Sequence, residues 1–132
     1  MRTNTDIQIR FGDVDMLRHV NNVNLQHYFD LGKGDFFRAI LPEEPYSELK
    51  FITASTSTSY FEQTRFEDKI YVETLLEKIG NKSFSIFQRI LNKTTGSVHA
   101  ESHTVMVMFD FETQATVSIP ESLRTKMNAG LE

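Results

Sequence analysis

Arg10-Phe11-Gly12-Asp13-Val14-Asp15-Met16-Leu17-Arg18-His19-Val20-Asn21-Asn22 is the stretch at which the hydrophobic pattern of the chain changes its period. Before it, Ile7, Ile9 and Phe11 alternate with polar residues, the period-two signature of a strand with one buried face. After it, Leu25, Phe29, Phe36 and Ile40 recur at spacings of four, seven and four, which aligns them in one apolar stripe of a helix. Asn21 and Asn22 suit the start of that helix, because their side chains can accept from the free N–H groups of a first turn, and Pro42 stops it. Gly32 and Gly34 sit inside it although each costs about 1 kcal/mol relative to alanine. They are either tolerated there or mark a close approach of a neighbouring element.

From Phe51 onward the pattern is that of strands. Residues 51–64 are rich in threonine, serine and aromatics, Ile70, Val72 and Leu76 alternate within 69–79, and Phe84, Ile86 and Ile90 within 83–91. Gly80-Asn81 and Thr95-Gly96 lie between apolar runs and read as hairpin turns. The last long strand covers about residues 97–109, and its Val105–Phe109 run suits burial on both faces. Pro120 before Glu121-Ser122-Leu123 suits a terminal turn of helix. The order of strand, long helix and antiparallel strands is an α+β arrangement. One helix covers one face of such a sheet, so the other face and an edge call for dimerisation.

A chain of 132 residues is the size of one domain, and residues 1–132 are read as one. Its net charge of −4, with both signs interspersed, argues against nucleic acid as a partner. With no cysteine, disulfides, thiolate metal sites and cysteine nucleophiles are all excluded. The first residues lack the apolar run of a signal peptide and no segment approaches the length of a membrane span, so a soluble, cytoplasmic protein is expected. Asn81-Lys82-Ser83 and Asn92-Lys93-Thr94 then read as turn or strand-edge residues rather than glycosylation acceptors.

The junction also holds the densest set of chemically capable side chains. On a strand Asp13 and Asp15 would share a face, and the dipole of the following helix favours the ionised form of a carboxylate near its N-terminus. Such a carboxylate can act as a nucleophile or as a base toward water, and the helix N–H groups can bind a carbonyl oxygen on which charge develops. The same aspartates can equally cap the helix or end the strand. His99 and His103 have the spacing of a helical zinc pair, but on a strand they would lie on one face roughly 13 Å apart and could not share a metal. His27 reads as a surface residue of the helix. The nucleophile elbow, the phosphate-binding loop and the dinucleotide fingerprint are all missing.

Arg10-Phe11-x-Asp13-x-Asp15, then His19-Val20-Asn21-Asn22 and an aromatic helix, resembles the 4-hydroxybenzoyl-CoA thioesterase branch of the hot-dog superfamily. Tyr60 through Asp68, Val72-Glu73-Thr74, Ile79-Gly80-Asn81-Lys82-Ser83-Phe84, Ala100-Glu101 and Ile119-Pro120-Glu121 extend the resemblance in order along the chain. It implies a long central helix wrapped by an antiparallel sheet of about five or six strands, and homodimers or homotetramers with active sites at the subunit interface. It also implies hydrolysis of an acyl-CoA thioester with no cofactor or metal. In this resemblance Asp15 is the catalytic carboxylate, as nucleophile or base, and the backbone N–H of Asn22 polarises the thioester carbonyl. His19 and Asn21 shape the loop around the thioester or only fix it through hydrogen bonds, Tyr28 and Tyr60 are structural or pocket-lining aromatics, and Lys82 either contacts the coenzyme A phosphates or is a solvated turn residue. The same motif admits a carrier-protein thioesterase or a non-catalytic acyl-CoA-binding domain. The chain departs from the family pattern at Arg18, where glycine is usual, at Leu25 for tyrosine, at Lys33 for arginine and at Gln63 for proline. Arg18 could narrow the pocket mouth or bind a phosphate or an acidic acyl group.

Overall fold

The computed structural model describes residues 1–44 and 50–132. In chain order it contains β1 (Arg2–Ile7), a short 3-10 turn (Phe11–Asp13), α1 (Asn22–Ile40), β2 (Phe51–Tyr60), β3 (Ile70–Ile79), β4 (Ser83–Asn92), β5 (Val98–Asp110), β6 (Ala115–Thr116) and α2 (Glu121–Gly130). The five long strands form one antiparallel sheet in the order β1-β3-β4-β5-β2, with β6 paired to the end of β5. The expected α+β class with a sheet of five or six strands is what the chain adopts.

α1 begins where the asparagines place it. Asn21 is the cap, and its side chain accepts from the Asn24 N–H at 2.9 Å. The stripe of Leu25, Phe29, Phe36 and Ile40 is buried, widened by Tyr28, Gly32 and Phe37. Gly32 is the point of closest approach to the sheet: a Cβ there would stand 2.6 Å from Val72 Cγ1 and 3.0 Å from both Gln88 Nε2 and Thr74 Oγ1. We therefore expect Gly32→Ala to destabilise the protein by about 1–3 kcal/mol, the overpacking cost exceeding the gain in helix propensity. A shift of the urea midpoint to higher concentration would refute that assignment.

The core has two parts. Near the start of α1, Leu25, Tyr28 and Phe29 pack on Ile70, Val72 and Ile90. Toward its end, Phe36, Phe37 and Ile40 pack on Leu76, Phe84, Ile86 and Met106. α2 closes that second part with Met127, fully buried, so the tail is a ten-residue helix rather than a single turn. Leu123 and Met127, four apart, supply its apolar face.

Three other sequence expectations are corrected. The first strand is residues 2–7, not a strand running through Phe11: Thr3 and Thr5 take inward positions that a hydropathy pattern overlooks, and Phe11 stands 87% exposed in the 3-10 turn. β2 stops at Tyr60, and residues 61–64 form a loop. The Val105–Phe109 run alternates, with Met106 and Met108 buried and Val105, Val107 and Phe109 half-buried on the other face.

α1 packs over β1, β3 and β4. On the same side of the sheet, Thr56, Thr58 and Tyr60 of the edge strand β2 pair with the buried Thr104, Ser102 and Ala100 of β5. β2 nonetheless remains exposed along most of its length. No helix among the described residues is long and apolar enough to cross a membrane.

Candidate active site

The two aspartates of the junction have different environments. Asp13 is buried at 3% exposure, and its carboxylate accepts from the Tyr28 hydroxyl at 2.6 Å and from the Arg10 backbone N–H at 3.1 Å. The Arg10 guanidinium closes on its other oxygen at 3.0 Å. Burial pushes the Asp13 carboxyl up, but the Tyr28 hydroxyl and the Arg10 donors outweigh it and hold it below the ordinary carboxylate value. Burial, reinforced by the Asp13 carboxylate, pushes the Tyr28 phenol above its ordinary value. Asp13 also fixes the helix through its backbone oxygen, which accepts from Asn24 Nδ2 at 3.1 Å. Tyr28 is thus a buried support of the junction and does not line the pocket described below.

Asp15 is half-buried and begins a tight turn. Its N–H donates to the His19 oxygen at 3.2 Å, its backbone oxygen accepts from Arg18 N–H at 3.0 Å, and Val14 bridges Val20. One carboxylate oxygen, Oδ1, accepts from the Leu17 N–H at 2.8 Å, which fixes the side chain. Arg18 closes this turn at φ 67°, in the left-handed region where glycine costs nothing. It is exposed and lies outside the pocket lining. We expect Arg18→Gly to stabilise the fold by about 0.5–1 kcal/mol, relief of backbone strain being partly offset by the freer unfolded chain. Chemical denaturation reads this directly, and a loss of stability would contradict it.

Asp15 faces a pocket of about 410 Å3. Its walls are the junction (Asp15, His19, Asn22), Leu25 of α1, and Tyr60 with the loop that follows it. Asn22 is the first residue of α1, so its N–H has no partner four residues back and belongs to the positive end of the helix dipole. Asn21 also lines the pocket, with its side chain committed to the helix cap. The Tyr60 hydroxyl accepts from Gln26 Nε2 at 3.1 Å, and the same amide group donates to Thr58 Oγ1 at 2.8 Å. The structure therefore brings Asp15, His19, Asn21, Asn22 and Tyr60 to one cavity.

Lys82 is elsewhere. Its backbone oxygen accepts from the Met108 N–H, whereas Tyr60 pairs with Ala100, eight residues away along β5. That places it about 25 Å from the pocket at strand rise.

A buried histidine ties down the far wall, and sequence reasoning missed its role. The β4–β5 register skips His99, a bulge that leaves this side chain 2% exposed. His99 Nδ1 lies 2.8 Å from Thr64 Oγ1, and its backbone oxygen accepts from the N–H groups of Phe61 and Glu62. The Thr64 oxygen accepts in turn from Val20 N–H at 2.7 Å, joining this loop to the junction. His103 is instead exposed, beside Phe87 and 3.2 Å from Glu77, so the bulge removes the shared face that a regular strand would give the two histidines. His27 is exposed on α1, as its position in the helix pattern suggests.

A family model described as the thioesterase-like superfamily matches residues 9–127. The long-chain acyl-CoA thioesterase FadM of Escherichia coli is 22% identical over 129 residues, covering 93% of this chain and 95% of that protein. A solved structure described as a predicted thioesterase from Bacillus stearothermophilus superposes with a TM-score of 0.90 at 26% identity, covering 100% of this chain and 98% of the other. A Thermus thermophilus thioesterase complexed with coenzyme A and zinc gives a TM-score of 0.85 at 24% identity, covering 96% and 91%.

Proposed function

This chain belongs to the thioesterase-like superfamily and has its hot-dog fold, and on that premise we propose that it hydrolyses acyl-CoA thioesters to the free acid and coenzyme A, with Asp15 as the catalytic carboxylate. The observation that carries this reading is the pairing, in one pocket, of a positioned carboxylate with the free N–H of a helix start. The Asn22 N–H polarises the thioester carbonyl, and the helix dipole stabilises the oxyanion formed on attack. Asp15 either attacks the carbonyl carbon, expelling the thiolate and leaving a mixed anhydride for water to cleave, or removes a proton from the attacking water. His19 and Tyr60 shape the walls about the acyl group. Asp13 and Tyr28 do no chemistry in this scheme: they hold the turn that presents Asp15.

The exposed β2 edge and the uncovered inner face beside it support a homo-oligomer in which a second copy covers Tyr60 and completes the acyl-binding wall. Lys82, remote from the pocket of its own protomer, meets coenzyme A phosphates in this scheme only across such a boundary. The experiment is to compare turnover of the same acyl group carried on coenzyme A and on an acyl carrier protein. Preference for the coenzyme A thioester is expected; preference for the carrier protein would reassign the substrate.

A further inference from the structure

The pocket that holds Asp15 contains a second carboxylate. Glu62 lies on the loop after β2, with its side chain 53% exposed and part of the pocket wall. Its Oε2 accepts from Ser97 Oγ at 3.1 Å and stands 3.5 Å from Nε2 of the buried His99. If Nε2 carries the imidazole proton, Nδ1 accepts from the Thr64 hydroxyl at 2.8 Å, and a chain of polar contacts runs from Thr64 through His99 to Glu62. Thr64, which also lines the pocket, is fully buried and His99 nearly so, which makes them a support, while Glu62 is the charged group of the chain in the pocket wall. Both contacts fall on Oε2, so Oε1 is the oxygen left to an occupant.

The wall of this cavity includes Asp15 and Glu62 but no lysine or arginine among the described residues. The remaining lining is largely apolar, from Leu17, Val20, Leu25, Tyr60 and Phe61. In a space of about 410 Å3, a charge on a bound acyl group lies within a Debye length, about 8 Å at physiological salt, of both carboxylates. From this geometry we infer that Glu62 is a specificity-determining residue that excludes acyl groups bearing a terminal carboxylate. A neutral acyl chain meets only the desolvation of a carboxylate that keeps half its contact with water. A dicarboxylic acyl chain meets two like charges, with no lysine or arginine among the described wall residues of its own protomer to offset them. Arg18, which the sequence offered for an acidic acyl group, lies outside the cavity wall of its own protomer.

The inference rests on the proposed assignment of this pocket to the acyl group. Its test is the ratio of kcat/KM for hexanoyl-CoA over adipoyl-CoA, which differ by the terminal carboxylate, in the wild type, Glu62→Gln and Ser97→Ala. Loss of fold or of general activity moves both substrates together, so the ratio isolates the charge. The wild type is expected to favour the neutral thioester. Glu62→Gln should cut that preference by about tenfold, a magnitude discounted for the half-exposed position of the group. Ser97→Ala, which loosens the carboxylate from outside the pocket wall, should cut it less. An unchanged ratio in Glu62→Gln overturns the inference. If the wild type cleaves neither thioester, calorimetric binding of the matching neutral and acidic S-alkyl coenzyme A thioethers decides the inference alone, and the hydrolytic reading is left to the wider acyl-CoA panel. An affinity ratio that falls about tenfold in Glu62→Gln sustains it; an unchanged ratio, or no binding of either, overturns it.

Discussion

Asp15→Asn is expected to lower kcat for acyl-CoA hydrolysis by about a thousandfold or more while leaving the fold and substrate affinity close to those of the wild type. The amide is nearly the same size and can still accept from the Leu17 N–H at Oδ1, so the turn of residues 15–18 keeps its hydrogen bonds. What it loses is the capacity to attack a thioester or to take a proton from water, the single step on which either version of the mechanism depends. A thousandfold corresponds to about 4 kcal/mol of transition-state stabilisation, within the range of losing one essential group. Matched circular dichroism and thermal melts, with calorimetry on a bound acyl-CoA, separate this from unfolding. A variant that turned over at more than a tenth of the wild-type rate would remove Asp15 from the chemistry.

The second large effect is on stability and belongs to Asp13. Asp13→Ala removes the acceptor of the buried Tyr28 hydroxyl and the ion partner of Arg10 together. Leaving a buried donor unpaired, with loss of a charge-assisted hydrogen bond, costs about 3 kcal/mol. The same contacts make stability depend on acid. The carboxyl is held below its ordinary value in the folded protein, so its contribution is fully present above the unfolded value of about 3.9. It is lost as pH falls through the lower folded value. The wild type should therefore lose stability more steeply than Asp13→Ala as pH is lowered from about 5. Urea midpoints of the two proteins across that interval check it, and parallel curves would mean that Asp13 is not held as described.

Asp13 and Asp15 also show how far a sequence can be read. Whether the junction aspartates do chemistry, cap the helix or end the strand is an open alternative when the residues are read alone. For Asp13 the structural role comes from Tyr28, fifteen residues on, whose hydroxyl reaches it once α1 has formed. Features that depend on a few consecutive residues were legible: the Asn21 cap, the stripe from Leu25 to Ile40, and the hairpins at Gly80 and Gly96. Features that depend on register were not. The bulge that buries His99 is invisible in a run of alternating residues, because it is defined by the partner strand it fails to match. Glu62 acquires its meaning only when the end of β2 meets the start of β5, and a lone glutamate in a loop gives no sign of it. The hydropathy pattern points the first strand toward Phe11, because the threonines at positions 3 and 5 face the core without registering as apolar.

The most direct test of the account is free-thiol release from a panel of short, long and aromatic acyl-CoAs, run in parallel with the wild type and Asp15→Asn. The account predicts release from at least one acyl class by the wild type, abolished in the variant. No release across the panel would contradict the assignment as an acyl-CoA hydrolase, and equal release by both proteins would contradict the role given to Asp15.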